Sequence, residues 1–127
     1  MPLRLQVLPE TYAVCRLELT AALPDWALAG SFFSVTRTHD ELSIVCSQSS
    51  VPAGVTCEPD WRGLKVIGPL DFALIGILAG LAGALAGAGV SLFALSTYDT
   101  DYLLVRAKDL PLAVQALAAA GHLVDEF

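Results

Sequence analysis

From Phe72 to Tyr98 the chain carries no charged residue. A run of that length is enough to cross a bilayer, which takes about 20 apolar residues. Gly76 and Gly80, then Gly83 and Gly87, also stand at the small-xxx-small spacing of paired membrane helices. Three features argue for a soluble helix instead. The flanks are Asp71 and Asp99, with no Lys or Arg near either end to anchor a span. The composition changes midway, from a Leu/Ile/Ala/Gly mixture over 72–88 to a strand-like alternation over 90–95. The large residues Leu74, Ile77, Leu78, Leu81 and Leu85 recur at three- and four-residue steps and leave the small ones on other faces. Lipid gives a helix no reason to separate large from small, whereas a protein core does. The expectation is no membrane association.

The rest of the composition narrows the class. The 127 residues are 55% hydrophobic and 16% charged, which argues for a packed core rather than disorder. The formal net charge is −6 and no cluster of Lys or Arg occurs, so nucleic acid is excluded as a main partner. Cys15, Cys46 and Cys57 are too few and too irregularly spaced for a disulfide framework. They read as small buried hydrophobes of a reducing, cytoplasmic compartment. The opening Met-Pro-Leu-Arg-Leu-Gln-Val lacks the pattern of a signal peptide.

The chain repeats itself. Asp25-Trp26-Ala27-Leu28-Ala29-Gly30 matches Asp71-Phe72-Ala73-Leu74-Ile75-Gly76. Phe33 to Val45 matches Phe93 to Val105, each an apolar strand, a polar turn and a second apolar strand. An acid closes the turn in each, Glu41 and Asp101. The matches keep their order, which implies two lobes, 1–60 and 61–127. The second lobe reads as a strand at 64–68, a helix from Asp71 to about Ala86, and strands at 90–97 and 101–107. A helix opening at Pro111 and ending near Gly121 follows, then a strand at 123–124. This is the α+β, ferredoxin-like βαββαβ plan, an antiparallel sheet with helices on one face. The first lobe gives strands at 6–8, 12–19, 32–38 and 42–47, a helical turn at 24–29, and a loop at 49–60. It is helix-poor, so the lobes are expected to pack as one unit.

Catalytic motifs are missing. His39 and His122 have no sequence-local partner and read as surface residues. There is no Gly-x-Ser-x-Gly elbow, no dinucleotide fingerprint, no phosphate loop and no Ca²⁺ loop. No metal and no cofactor are expected. What remains is a binding constellation. The turn Gly68 to Phe72 precedes a helix and offers backbone N–H groups to a carboxylate. Ser96 and Thr97 run beside it, and Asp101 stands ready for an ammonium group. The competing reading gives Asp71 only a capping role and Asp101 only the end of a hairpin.

These residues carry a resemblance. Leu64 to Ala79 and Gly89 to Val105 resemble the ACT domain, in particular small stand-alone bacterial proteins with two tandem ACT lobes. Phe33 to Cys46 is similar to their first lobe. Aspartate kinase regulatory lobes and the cytosolic arginine sensors of animals look like more distant relatives. The resemblance implies a regulatory module that binds a free amino acid between lobes, without catalysis. The positions it implies are Leu70, Asp71, Phe72, Ala73, Ser96, Thr97 and Asp101, with Thr36 and Arg37 from a facing lobe. A homodimer is expected, with the small face of the Gly76-to-Gly87 helix and any open sheet edge as its surfaces. The alternative is a dimerisation platform of the same fold with an empty pocket.

Overall fold

Two long strands organise the computed structural model, which describes residues 2–71 and 73–126. They are β1, Arg4–Leu17, and β4, Cys57–Val66. The other strands are β2 (Ser34–Arg37), β3 (Leu42–Ser47), β5 (Leu92–Ser96), β6 (Asp101–Arg106) and β7 (Leu123–Asp125). Two helices, α1 (Ile77–Gly87) and α2 (Leu110–Ala119), complete an α+β chain. The chain divides into two compact units, a central one, Glu10–Trp61, and a flanking one, Met1–Pro9 with Arg62–Phe127.

In the central unit the strand order is β2-β3-β1-β4. β1 and β3 pair antiparallel from Tyr12↔Ser47 to Leu17↔Leu42, and β2 joins β3 antiparallel with Val35 opposite Ile44. Alternation then puts Ala13, Cys15, Leu42, Ile44 and Cys46 into one core with Ala27. Ala27 comes from the short 3₁₀ turn Asp25–Leu28, which matches the expected helical turn. The expected break between strands 6–8 and 12–19 is absent, since β1 continues through Pro9. Part of the expected 49–60 loop is likewise the start of β4, preceded by a 3₁₀ turn at Gln48–Ser50.

In the flanking unit the order is β7-β1-β4-β6-β5. β5 and β6 form the expected antiparallel hairpin, Leu92↔Val105 to Ser96↔Asp101. The simple ferredoxin plan would set β7 beside β4. Instead β1 lies between them, and β7 pairs parallel to β1, with Leu5 opposite Val124. The position is held by Arg4, whose Nε donates to Asp125 at 2.6 Å, and by Leu3, whose N–H donates to His122 Nδ1 at 3.1 Å. His122 is therefore half-buried and engaged, not a surface residue, while His39 is exposed. Leu81 and Leu85 of α1 and Ala113 and Leu117 of α2 pack on Leu5, Val7, Leu64, Val66, Leu103 and Val105. Pro111 lies in the first turn of α2. Both helices close alike, with Val90 N–H on the Leu85 carbonyl and His122 N–H on the Leu117 carbonyl.

The start of α1 differs from expectation. It begins at Ile77, not at Asp71. The Asp71 carboxylate accepts from Ala73 N–H at 2.8 Å and its carbonyl from Leu74 N–H at 3.0 Å, a local turn that competes with helix. Gly76 then takes a left-handed conformation (φ 79°) and resets the chain direction before the first helical residue. The uncharged run thus contains an eleven-residue helix and a strand. Among the described residues no helix is long and apolar enough to cross a membrane.

Candidate functional site

The β5–β6 hairpin and the segment between β4 and α1 enclose a depression of about 200 Å³ in the flanking unit. Its lining comprises Leu70, Asp71 and Leu74 from the segment, Ile77 at the start of α1, and the run Ser96 to Asp101 from the hairpin. The hairpin turn is fixed by threonines. Thr97 N–H donates to the Thr100 carbonyl at 2.8 Å, and Thr100 N–H returns to Thr97 Oγ1 at 3.2 Å. Thr100 is 5% exposed, and its hydroxyl donates to the Val66 carbonyl at 2.6 Å, joining the turn to the end of β4. Leu70 N–H donates to the Asp99 carbonyl at 2.7 Å, joining the segment to the turn.

Gly68 makes this approach possible. A Cβ there would lie 2.9 Å from Leu70 N, 3.1 Å from the Asp99 carbonyl oxygen and 3.2 Å from Thr100 Cβ. Two of those neighbours are backbone atoms, which have little room to yield. The close approach of the segment to the hairpin turn therefore depends on a glycine that the sequence marks only as a turn.

Charge gives the depression its chemistry. Asp71, Asp99 and Asp101 line it, and among the described residues no Lys, Arg or His does. Asp101 faces Ser96 across the hairpin, and the Ser96 hydroxyl donates to Asp101 Oδ1 at 2.6 Å. This orients the carboxylate without neutralising it. Leu74 and Ile77 supply an apolar wall. Such a lining accepts a ligand that carries an ammonium group and a small apolar part.

Of the positions expected from sequence, the depression brings together Leu70, Asp71, Ser96, Thr97 and Asp101. Ala73 does not line it, because its N–H is turned to Asp71. Phe72 lies outside the described residues. Thr36 and Arg37 belong to the central unit and do not line it. The Arg37 guanidinium is engaged by the Leu19 carbonyl and by the Ala21 carbonyl at 2.7 Å. Leu74, Ile77, Tyr98, Asp99 and Thr100 were missed. The signal for Thr100 was its place between two acids in a tight turn, where a buried hydroxyl has a structural task.

A second, more open depression lies in the central unit, lined by Glu10, Thr11, Ser47, Gln48 and Ser49. The Ser31 hydroxyl donates to Glu10 at 2.8 Å, and it and Ser47 hold the Glu10 carboxyl below its ordinary value. Among the described residues no group of three His, Cys, Asp or Glu side chains is placed to hold a metal ion.

The family model for the ACT domain matches residues 56–119, and a model describing an N-terminal domain matches residues 10–54. The human protein CASTOR3P is 29% identical over 101 residues, 69% of this chain and 62% of that protein. This chain thus spans less than two thirds of that relative's length. The crystal structure of protein Atu0741 from Agrobacterium tumefaciens is 39% identical, with a TM-score of 0.95, over 100% of this chain and 95% of that one. The ligand-free regulatory subunit of aspartate kinase from Thermus thermophilus has a TM-score of 0.65 at 12% identity, over 92% of this chain and 96% of that one. At that identity the likeness concerns the fold.

Proposed function

Since the chain belongs to the ACT-domain family, we propose that it is a non-catalytic sensor that binds a free amino acid in the depression of its flanking unit. ACT domains are generally regulatory modules that bind amino acids, and this chain resembles aspartate kinase regulatory subunits in fold. The observation that carries the reading is the convergence of Leu70, Asp71, Ser96, Thr97 and Asp101 on one cavity. In the proposed pose, Asp101 takes the ligand ammonium group. The apolar part of the ligand lies against Leu74 and Ile77. With three acids and no base in the lining, neutral and cationic amino acids bind better than aspartate or glutamate.

The proposed lobes, 1–60 and 61–127, differ from the two compact units chiefly in the first nine residues, which group with Arg62–Phe127. The likeness of the two hairpins supports the duplication itself. Thr38 N–H donates to the Glu41 carbonyl at 2.9 Å, as Thr97 N–H does to that of Thr100 at 2.8 Å. By this pairing Glu41 corresponds to Thr100, one position before Asp101.

A homodimer and a cytoplasmic location complete the proposal. The alternative, a dimerisation platform without ligand, draws on α1, whose exposed Ala79, Gly80, Gly83, Ala86 and Gly87 bear no charge. The test is thermal unfolding against each common amino acid and its enantiomer. A ligand at about 100 times its Kd adds about 2.7 kcal/mol. With an unfolding entropy of about 2.1 cal/mol/K per residue, that is about 10 °C here. One stereospecific shift is the expected result. A constant oligomer with no shift for any amino acid favours the platform.

A further inference from the structure

The three cysteines, far apart in sequence, meet in the core of the central unit. Cys15 is on β1, Cys46 on β3, and Cys57 opens β4. Cys15 and Cys46 are buried in one apolar cluster, and Cys57 packs against it.

The register separates the two pairs. Cys15 faces Ile44 and Cys46 faces Ala13, so Cys15 and Cys46 are diagonal neighbours. Diagonal positions are about 7–8 Å apart, with Cβ atoms somewhat closer. Between β1 and β4, Arg16 N–H donates to the Thr56 carbonyl at 2.9 Å and Ile67 N–H to the Arg4 carbonyl at 2.8 Å. The strands are therefore antiparallel, and the Arg16–Thr56 bond sets Cys15 directly across from Cys57. Opposite residues of an antiparallel pair have Cα atoms about 4.5–5.5 Å apart. A disulfide spans about 4.4–6.8 Å between Cα atoms, so the Cys15–Cys57 pair meets the requirement.

Access separates the sulfurs too. Cys15 is 1% exposed and Cys46 is 0% exposed, whereas Cys57 is half-buried. Burial, reinforced by the neighbouring thiols, pushes the Cys15 thiol up to about 12, and burial raises Cys46 as well. Both buried thiols stay protonated and are poor first nucleophiles.

We propose that the central unit carries a peroxide-sensitive dithiol in which Cys57 is oxidised first and Cys15 is its disulfide partner. The Cys57 thiolate attacks hydrogen peroxide. The O–O bond breaks, an S–O bond forms, and hydroxide leaves with its electron pair. Cys57 is now a sulfenic acid, with its sulfur oxidised and the peroxide reduced. The Cys15 sulfur then attacks the Cys57 sulfur. The S–S bond forms, the S–O bond breaks, and the departing hydroxide takes the Cys15 proton as water. In total two thiols and one hydrogen peroxide give one disulfide and two waters. A thiol reductant restores both groups.

The experiment exposes the reduced full-length chain to hydrogen peroxide, blocks remaining thiols by alkylation, and maps peptides without reduction. Cleavage after Arg16, Arg37 and Arg62 puts Cys15 on one peptide and Cys46 with Cys57 on another, and fragmentation distinguishes the latter two. The expected product has lost two of three thiols, links Cys15 to Cys57, and reverts with dithiothreitol. In Cys46→Ser the same link forms. In Cys57→Ser, a change at the half-buried position, Cys15 and Cys46 both remain reduced. A Cys15–Cys46 bridge, a link between two chains, or three intact thiols overturns the proposal.

Discussion

Replacing Thr100 with valine keeps the volume of a buried side chain and deletes one hydroxyl. That hydroxyl donates at 2.6 Å to the Val66 carbonyl, in a position 5% exposed. The substitution leaves the buried carbonyl without this donor, a loss of about 1–3 kcal/mol. At an unfolding entropy of about 2.1 cal/mol/K per residue, the melting temperature falls by about 4–11 °C for this chain. The control is Thr97→Val. Thr97 is exposed and its hydroxyl bonds only within the turn, to Thr100 N–H at 3.2 Å and the Thr100 carbonyl at 3.0 Å. Water can replace those bonds, so a loss below about 1 kcal/mol is expected. The assay is urea unfolding of both variants, followed by circular dichroism. Equal midpoints for Thr100→Val and the parent chain refute the reasoning, because they mean the hydroxyl does not join the hairpin to β4.

Further outcomes follow from neighbouring geometry. Gly68→Ala places a Cβ against Leu70 N and the Asp99 carbonyl, so it destabilises by about 1–3 kcal/mol and abolishes any amino-acid response; a thermal melt with parental midpoint and response contradicts this. Gly83→Ala meets no atom within 4 Å and sits inside α1, so it stabilises by about 1 kcal/mol; destabilisation in urea would show that the face is occupied. Ser31→Ala removes the chief cause of the lowered Glu10 carboxyl, and NMR titration of that carboxyl should show it moving up. The sign for stability follows. With its folded value depressed, Glu10 contributes above its unfolded value and loses that contribution as pH falls through the folded one. Ser31→Ala therefore flattens the acid limb of the stability curve, and an unchanged limb speaks against the bond.

Local signals in the sequence were legible, and long-range ones were not. The ends of both helices could be read from the Gly87–Gly89 run and Gly121, since stop signals act within a turn. The start of α1 was misread because Asp71 serves a helix cap and a local turn equally well, and Gly76 decides between them. The continuity of β1 through Pro9 runs against local propensity and depends on its neighbours. The place of β1 between β7 and β4 depends on pairing across most of the chain. The same holds for the cavity. Asp71, Ser96, Thr97 and Asp101 stand out as polar residues in an apolar half. The role of Thr100 depends on the Val66 carbonyl, thirty-four positions away. The grouping of three cysteines likewise depends on strand register.

The central claim is that the depression between the 70–77 segment and the β5–β6 hairpin holds a free amino acid. Its most direct test is a titration of isotope-labelled chain with each common L-amino acid, observed through backbone amide shifts. At least one neutral or cationic amino acid is expected to shift Leu70, Asp71, Ser96, Thr97 and Thr100 together. Asp101→Asn should weaken that response far more than it lowers folding stability. Shifts confined to the Glu10 and Ser47 depression, or none with any amino acid, would contradict it.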